Sequence, residues 1–207
     1  MSWSRRVGSP EQARAVLAGP GDALDLRAAV PYAPEWAALG FVELVPGELV
    51  LPVPQVLAGV EQTRALGRRL AGELRAGDLV VLSGPLGAGK TALTQGIGAA
   101  LGVAGPVTSP TFVLARVHRG PLPLVHVDAY RLRDAGAPAL ELDDLDLDAD
   151  LPRSVVVVEW GEGLVEGLSD ARVEVHLDRP PAAGDPDERT AAVRVHGHRW
   201  ALSPHAV

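Results

Sequence analysis

Residues 84–91 read Gly84-Pro85-Leu86-Gly87-Ala88-Gly89-Lys90-Thr91 and match the phosphate-binding loop pattern G-x-x-x-x-G-K-[ST] in full. The chain has 19 lysine and arginine residues, and Lys90 is its only lysine. The pattern needs a compact ammonium that can reach phosphate oxygens, and the wide planar guanidinium of arginine does not replace it. The stretch therefore predicts a loop that binds a phosphate-bearing ligand.

The sequence on either side of the loop has the order that such a site requires. Residues 79–82 are apolar, which predicts a buried strand, and residues 91–101 have the length of a helix that Gly102 ends. In a strand-loop-helix unit, the loop N–H groups and the positive end of the helix dipole surround the phosphates. The Thr91 hydroxyl can then ligate Mg²⁺. The alternative is a glycine-rich turn without a ligand.

Composition limits the class of protein. The 207 residues, 47% of them hydrophobic, suffice for one α/β domain with an appendage. Cysteine is absent, and no apolar run approaches the roughly eighteen residues of a membrane-spanning helix. We therefore expect a soluble, cytoplasmic protein without membrane attachment. The net charge of −7 argues against broad electrostatic contact with nucleic acid, so that a partner would have to hold any RNA.

The N-terminal part of the chain differs from the remainder. Prolines interrupt it repeatedly, and only residues 10–18 and 35–39 show short helical patterns. We find no chemistry there and interpret residues 1–55 as an extension of unknown role, either accessory to the domain or able to dock a partner. Residues 60–71 predict an amphipathic helix that ends near Gly72 or Gly77, within a domain assigned to residues 56–207.

A polar turn, Thr108-Ser109-Pro110-Thr111, follows the helix of the loop. In proteins with such a loop, a hydroxyl at this place can lie beside the γ-phosphate, as in nucleotide-sensing switches. We favour Thr111 for this role over Thr108 and Ser109, and an ordinary turn is the alternative. Residues 112–117 and 122–127 then predict two strands joined as a hairpin.

The second strand of this hairpin ends in an acid. Asp128 has the place of a Walker-B type carboxylate, which holds Mg²⁺ through water or orients an attacking water, and a cap at the strand end is the alternative. His126 is interpreted as a packed core or edge histidine because its side chain should alternate with that of Val127. Arg131 could stabilise phosphate charge or form a salt bridge.

A second acid ends the valine run 155–158, which is typical of a central strand covered on both faces. Glu159 would emerge at the sheet edge where ligands bind, and it could bind Mg²⁺ or polarise water. The alternative is a capping glutamate. Trp160 would then form a wall of the pocket. Residues 171–177 and 191–196 predict two further strands.

The remaining polar stretches show no metal-binding pattern. Residues 134–150 alternate acids with leucines, which indicates a solvated helix and loop or a docking face for a basic partner, and they do not match a calcium-binding loop. His196, His198 and His205 are interpreted as surface residues.

Together these motifs resemble the TsaE (YjeE) family of bacterial ATPases, which are required with TsaD and TsaB for making threonylcarbamoyladenosine at position 37 of tRNA. The resemblance covers residues 60–196 and rests on residues 86–91, 108–112, 126–132 and 158–160 in the family's order. It implies an α/β fold, the three-layer P-loop NTPase-like fold with a mixed, mostly parallel sheet, preceded here by the N-terminal extension.

The resemblance also implies roles for individual residues. The ATP phosphates would be bound by Leu86, Gly87, Ala88, Gly89, Lys90 and Thr91. Thr91 and Glu159 would hold Mg²⁺, while Asp128 and Thr111 would lie at the γ-phosphate. Asp128, Glu159 and Thr111 are thus the catalytic candidates. Val60 and Arg189 would approach the nucleotide.

The implied activity is that of a Mg²⁺-dependent ATPase, weak alone and stimulated by TsaD- and TsaB-like partners, with tRNA contacted only through the complex. Two positions depart from the family's pattern. Ala92 stands where a second threonine is usual, and Pro85 stands where an acid is common. Neither change removes a phosphate donor or the metal ligand.

Other functions fit the same loop. A small-molecule kinase would need an acceptor pocket and an arginine-rich lid; Arg131 and Arg133 could belong to a lid, but no such insertion is evident. A nucleotide-gated binding module would differ only in its rate of hydrolysis. A GTPase is disfavoured because its usual guanine-reading motif needs a further lysine.

Overall fold

The computed structural model describes residues 42–45, 49–52, 54–110, 113–134, 145–169, 171–180 and 185–196. Several of the sequence predictions lie outside these residues, namely the helical patterns at 10–18 and 35–39, Thr111, His198, His205 and most of the acidic segment. None of the helices in the described ranges is both long enough and apolar enough to cross a bilayer.

The described residues form strands that alternate with helices along most of the chain. The strands are β1 (Val42–Val45), β2 (Leu49–Pro52), β3 (Gln55–Ala58), β4 (Leu79–Ser83), β5 (Ala115–His118), β6 (Leu124–Asp128), β7 (Val155–Glu159), β8 (Arg172–Asp178) and β9 (Glu188–His196). The α-helices are α1 (Val60–Ala71), α2 (Lys90–Leu101) and α3 (Leu147–Asp150), and the 3₁₀-helices are Tyr130–Asp134, Leu151–Arg153 and Glu166–Leu168.

One mixed sheet organises the domain, with the strand order β3-β9-β8-β4-β7-β6-β5. The central strands β8, β4, β7 and β6 are parallel, whereas β9 and β3 at one edge and β5 at the other pair antiparallel with their neighbours. This architecture confirms the expected α/β fold with a mixed sheet and a parallel core. It also brings the carboxyl ends of β4, β6 and β7 to the same edge of the sheet.

The elements that carry the predicted site lie close to where the sequence indicates. β4, α2 and β7 differ from their predicted bounds by a residue at most, and α1 ends at Ala71 with Gly72 as its C-cap. The hairpin is confirmed as the antiparallel pair of β5 and β6. However, β5 begins only at Ala115, because Leu114 has a φ angle of 61°, which interrupts the extended backbone.

Three strands near the N-terminus were not expected. β1 and β2 form an antiparallel pair in which Val42 is opposite Pro52. β3 pairs antiparallel with β9 and forms one edge of the main sheet. The short, proline-flanked sequence of β3 has little periodicity of its own, and its pairing with a strand more than a hundred residues away defines it. The assignment of residues 1–55 as an extension stays a prediction.

Side chains alternate across the sheet and create two cores, so that the domain has three layers. On one face, Val80 of β4 and Val157 of β7 pack with residues of α1 and α2. On the other face, Val81 and Val158 pack with shorter segments that include Leu132 of the first 3₁₀-helix. The alternation places the last residue of β7, Glu159, on the face of α2.

The two long helices cross at glycines. A Cβ atom on Gly67 of α1 would lie 2.3 Å from the carbonyl oxygen of Leu93, and one on Gly96 of α2 would lie 2.1 Å from the carbonyl oxygen of Arg64. Arg64 also donates to the Gln95 side chain through Nε and Nη2. This close crossing brings the start of α1 beside the phosphate-binding loop.

Candidate functional site

Glycines give the loop between β4 and α2 its shape. Gly84, Gly87 and Gly89 have φ angles of 125°, 75° and 103°, which residues with a side chain rarely adopt. At Gly84, a Cβ atom would also lie 1.8 Å from the carbonyl oxygen of Leu177 in β8. Gly89 precedes α2, and no side chain of the described residues caps the start of this helix. The first N–H groups of α2 therefore point toward the loop, as an anion site requires.

Lys90 begins α2, and its ammonium lies within the loop. The residue is 4% exposed, and its Nζ donates to the carbonyl oxygens of Gly84 at 2.7 Å and Pro85 at 2.9 Å. Nζ also lies 3.5 Å from the centre of the Trp160 ring, a cation–π contact. The Tyr130 ring packs against Trp160 with 5.0 Å between centres. The expected wall residue Trp160 is thus directly beside the loop lysine.

Glu159 lies at the carboxyl end of β7 and is only 3% exposed. Thr91 Oγ1 donates to its Oε2 at 3.0 Å, which brings the two predicted metal ligands together. Its Oε1 lies 2.8 Å from Nε2 of His126, which is fully buried. The interpretation of His126 as a core residue is confirmed, but its contact with Glu159 was not predicted. Its position two residues before Asp128, on the same face of β6, was the available signal.

Asp128 ends β6 directly opposite Glu159 in the parallel register. Its Oδ2 accepts a hydrogen bond from Ser109 Oγ at 2.6 Å, and its Oδ1 accepts one from the Tyr130 backbone N–H at 3.1 Å. The polar turn thus reaches the predicted acid through Ser109, whereas Thr111 was the hydroxyl favoured from the sequence. Thr108 instead accepts a hydrogen bond from an arginine side chain at the protein surface.

Two residues of the phosphate-loop motif have very different surroundings. Leu86 is 74% exposed, whereas the methyl group of Ala88 is wholly buried in the core beneath the loop. Neither side chain carries a polar atom, so both would contact a phosphate only through the backbone N–H. This agrees with the motif, which specifies glycines and the lysine but leaves the residue type at these two positions open.

A cavity of about 460 Å³ opens beside the loop. It is lined by Val60, Gly87, Gly89 and Arg189 among others, so the two residues expected near the nucleotide do border one cavity with the loop. The Arg189 guanidinium donates to the carbonyl oxygens of Gly87 at 3.2 Å and Pro186 at 2.6 Å. These bonds connect the start of β9 to the phosphate-binding loop.

A second polar cluster lies on the opposite face of the sheet. His196, interpreted as a surface residue, is partly exposed, with 21% of its side chain accessible, and its Nε2 lies 3.1 Å from Oε2 of the partly buried Glu174. Arg172 donates to the other oxygen of Glu174 at 2.8 Å. Burial alone would raise the pKa of Glu174, but the close contacts with His196 and Arg172 outweigh it and lower the pKa to about 2.

The oxygen ligands and the positive charges at the loop suit a magnesium-bound nucleotide. A hydroxyl oxygen and a carboxylate, those of Thr91 and Glu159, are ligands that Mg²⁺ prefers, and this ion commonly completes its shell with water and substrate phosphates. The Lys90 ammonium and the start of α2 supply positive charge at the same place. The adjoining cavity provides the space that the rest of a nucleotide requires.

The chain is similar to a known protein family and to individual members of it. The family model described as "Threonylcarbamoyl adenosine biosynthesis protein TsaE" matches residues 57–188. A Streptomyces coelicolor relative, the tRNA threonylcarbamoyladenosine biosynthesis protein TsaE, is 58% identical over 150 residues, which cover 70% of this chain and 97% of the relative. The protein of the same name from Bacillus subtilis is 37% identical over 144 residues, 69% of this chain and 85% of its own length.

A solved structure is similar as well. The crystal structure of Bacillus subtilis YdiB matches with a TM-score of 0.56 and 31% sequence identity, and the match covers 72% of this chain and 88% of that one. This similarity agrees with the P-loop NTPase-like α/β fold that the sequence predicts.

Proposed function

The chain belongs to the TsaE family of tRNA threonylcarbamoyladenosine biosynthesis proteins, and from this premise we propose that it is a Mg²⁺-dependent ATPase of that machinery. The observation that supports this most directly is the Lys90 ammonium buried in a glycine-shaped loop beside Glu159 and Asp128. ATP hydrolysis would reset a complex formed with TsaD- and TsaB-like proteins. Without these partners, the protein would hydrolyse ATP slowly.

The proposed chemistry is positional and electrostatic. Lys90 and the loop N–H groups would neutralise the β- and γ-phosphates, while Thr91 and Glu159 would hold Mg²⁺. Bound there, Mg²⁺ would supply positive charge that offsets the charge of the phosphates. Asp128, whose two oxygens accept hydrogen bonds from Ser109 and the Tyr130 backbone, would orient the attacking water for in-line displacement.

The cavity beside the loop is proposed as the site for the remainder of the nucleotide. Val60 presents an exposed apolar side chain at its rim, and the Arg189 guanidinium is fixed against the loop by its carbonyl contacts. Val60 and Arg189 would then contact the same nucleotide whose phosphates the loop binds.

Because the net charge is −7, tRNA would be contacted only through partner proteins. We also place the protein in the cytoplasm, away from membranes.

The activity test is phosphate release from Mg²⁺-ATP in the absence of any acceptor. We expect Lys90→Ala to lower the rate by about a hundredfold or more, since it removes the charge that faces the transferring phosphoryl group. Lys90→Arg should fail to a similar degree, because the planar guanidinium does not fit between the loop carbonyls. Near-wild-type hydrolysis by Lys90→Ala would contradict the assignment of the loop, and release that appears only with an added acceptor would identify a kinase.

The pathway test is mass spectrometry of tRNA nucleosides from cells depleted of this protein. Threonylcarbamoyladenosine should disappear, and wild-type protein should restore it while Lys90→Ala should not. Unchanged modification in depleted cells would refute the proposed role, whatever the rate of ATP hydrolysis.

A further inference from the structure

Each carboxylate oxygen of Glu159 has its own polar neighbour. Thr91 Oγ1 donates to Oε2 at 3.0 Å, and His126 Nε2 lies 2.8 Å from Oε1. Thr91 belongs to the proposed metal site. His126, on the neighbouring strand, has no role in the mechanism described so far.

His126 lies on the α2 face of β6, opposite Val157 in the register and fully buried. An ionised carboxylate only accepts hydrogen bonds, so the contact with Glu159 requires the proton on Nε2. Among the residues that the structure describes, His126 Nδ1 has no hydrogen-bond partner. The bond to Glu159 is therefore the polar contact that offsets the cost of burying this ring.

A packing role alone does not require a histidine here. Leu124, two residues earlier on the same face of β6, is also fully buried and fills its place with an apolar side chain. An imidazole in the interior costs free energy unless it is hydrogen-bonded, and a leucine or methionine has no such cost. What His126 adds to an apolar side chain is a donor aimed at Glu159 Oε1.

We infer that His126 is a positioning residue, which fixes the Glu159 carboxylate so that Oε2 faces Thr91 and the metal site. The inference rests on the proposed function, in which Thr91 and Glu159 hold Mg²⁺. A donor on the far oxygen stops the carboxylate from rotating, and removing such a supporting bond commonly lowers metal affinity about ten- to a hundredfold.

The test compares His126→Met with His126→Gln. The two side chains have nearly the same length and volume, but only glutamine ends in an N–H donor. We would measure the dissociation constant of a fluorescent, non-hydrolysable ATP analogue in EDTA and across a Mg²⁺ titration. His126→Met should bind the analogue as wild type does in EDTA and should need about ten- to a hundredfold more Mg²⁺ for half-maximal tightening. His126→Gln should recover much of this loss.

The control is His118→Met. His118 is a second buried histidine on the adjacent strand, and its ring centre lies 6.3 Å from that of His126. It should leave the Mg²⁺ requirement unchanged. A wild-type Mg²⁺ requirement in His126→Met overturns the inference, and so does an equal loss of affinity with and without Mg²⁺, or equal behaviour of the methionine and glutamine variants.

The wild-type titration separates this inference from the proposed function. If Mg²⁺ fails to tighten binding of the analogue to the wild-type protein, the proposed metal site is wrong and the inference is refuted with it. If wild type responds to Mg²⁺ and His126→Met responds equally, only the inference is refuted. Thermal unfolding of every variant establishes that it is folded, and His126→Leu replaces the methionine variant if that one is not.

Discussion

Asp128 and Glu159 are opposite each other in the register, yet different kinds of donor hold them. Glu159 accepts from Thr91 on α2 and contacts a histidine on β6, both within regular elements. Asp128 accepts from Ser109, in the turn before β5, and from the backbone of Tyr130, where a 3₁₀-helix begins. A metal ligand needs neighbours that hold it rigidly, as the regular elements around Glu159 do. The turn that contains Ser109 can change its conformation when the nucleotide binds. These neighbours favour Glu159 as the metal ligand and Asp128 as the residue that orients water.

Ser109→Ala tests this division at a single hydroxyl. Hydrogen bonds to a charged acceptor contribute about 1.5–3 kcal/mol, which corresponds to about a ten- to hundredfold change in rate if the bond orients Asp128 for catalysis. We expect the variant to lower kcat for ATP hydrolysis by that factor and to bind the nucleotide analogue nearly as wild type does. Steady-state kinetics and analogue binding give the two values.

Thr108→Ala is the matched control for Ser109→Ala. It removes the adjacent hydroxyl, which accepts a hydrogen bond from Arg116 and is exposed. Its kcat should stay near that of wild type. If both variants lose the same activity, the turn acts as a whole and the Ser109 hydroxyl has no special role; if Ser109→Ala raises the dissociation constant and leaves kcat unchanged, Asp128 serves binding instead.

At the scale of elements, the crossing of α1 and α2 connects the fold to the site. α2 begins at the lysine of the phosphate loop, and α1 begins at Val60 on the cavity rim. Their separation at the crossing is set by backbone contacts at Gly67 and Gly96, with no room for a methyl group at either position. A displacement of α1 therefore changes the cavity as well as the core.

Gly96→Ala is the variant that separates these helices. Alanine is favoured over glycine inside a helix by about 1 kcal/mol, so an open position would be stabilised by this change. Here the new Cβ atom would lie 2.1 Å from the backbone oxygen of Arg64, and overpacking against backbone costs about 1–3 kcal/mol or more. We expect a net loss of stability in urea denaturation, together with weaker binding of the ATP analogue.

Gly167→Ala is the control for that experiment, because a Cβ atom at Gly167 would have no heavy atom within 4 Å in the part of the chain that the structure describes. Its stability and nucleotide affinity should stay close to those of wild type. A Gly96→Ala variant as stable as wild type would mean that the helices separate at no cost. Reduced stability with unchanged affinity would mean that the cavity does not depend on the position of α1.

At the scale of the whole molecule, local patterns predicted more than contacts between distant segments. The loop motif, the valine run of β7 and the periodicity of α1 depend on neighbouring residues, and all three are where the sequence indicates. The pairing of β3 with β9, the contact of His126 with Glu159 and the contact of His196 with Glu174 depend on strand register. Register between strands remote in sequence leaves no local pattern, so the β3–β9 pairing and the His196 contact could not be predicted. For His126, the one local signal was its position on the same face of β6 as Asp128.

The contact between Glu174 and His196 couples β8 and β9 to the stability of the whole domain. Folding lowers the pKa of the Glu174 carboxyl from its ordinary value of 4.5 to about 2, because the His196 and Arg172 contacts outweigh the effect of burial. A carboxyl with a lowered pKa binds protons more weakly in the native state than in the unfolded state. Its contribution to stability is therefore complete above its unfolded pKa and is lost as the pH falls toward its folded pKa.

Glu174→Gln should consequently flatten the dependence of the unfolding free energy on pH. A shift of this size corresponds to at most about 3 kcal/mol, present in wild type above about pH 5 and absent near pH 2. The two urea-denaturation curves should therefore differ most above pH 5 and converge in acid. Glu162→Gln, which removes an exposed carboxylate from the same face of the sheet, controls for the loss of one negative charge. Curves for wild type and Glu174→Gln that stay parallel down to pH 2 would mean that the contacts of Glu174 do not contribute to the pH dependence of the unfolding free energy.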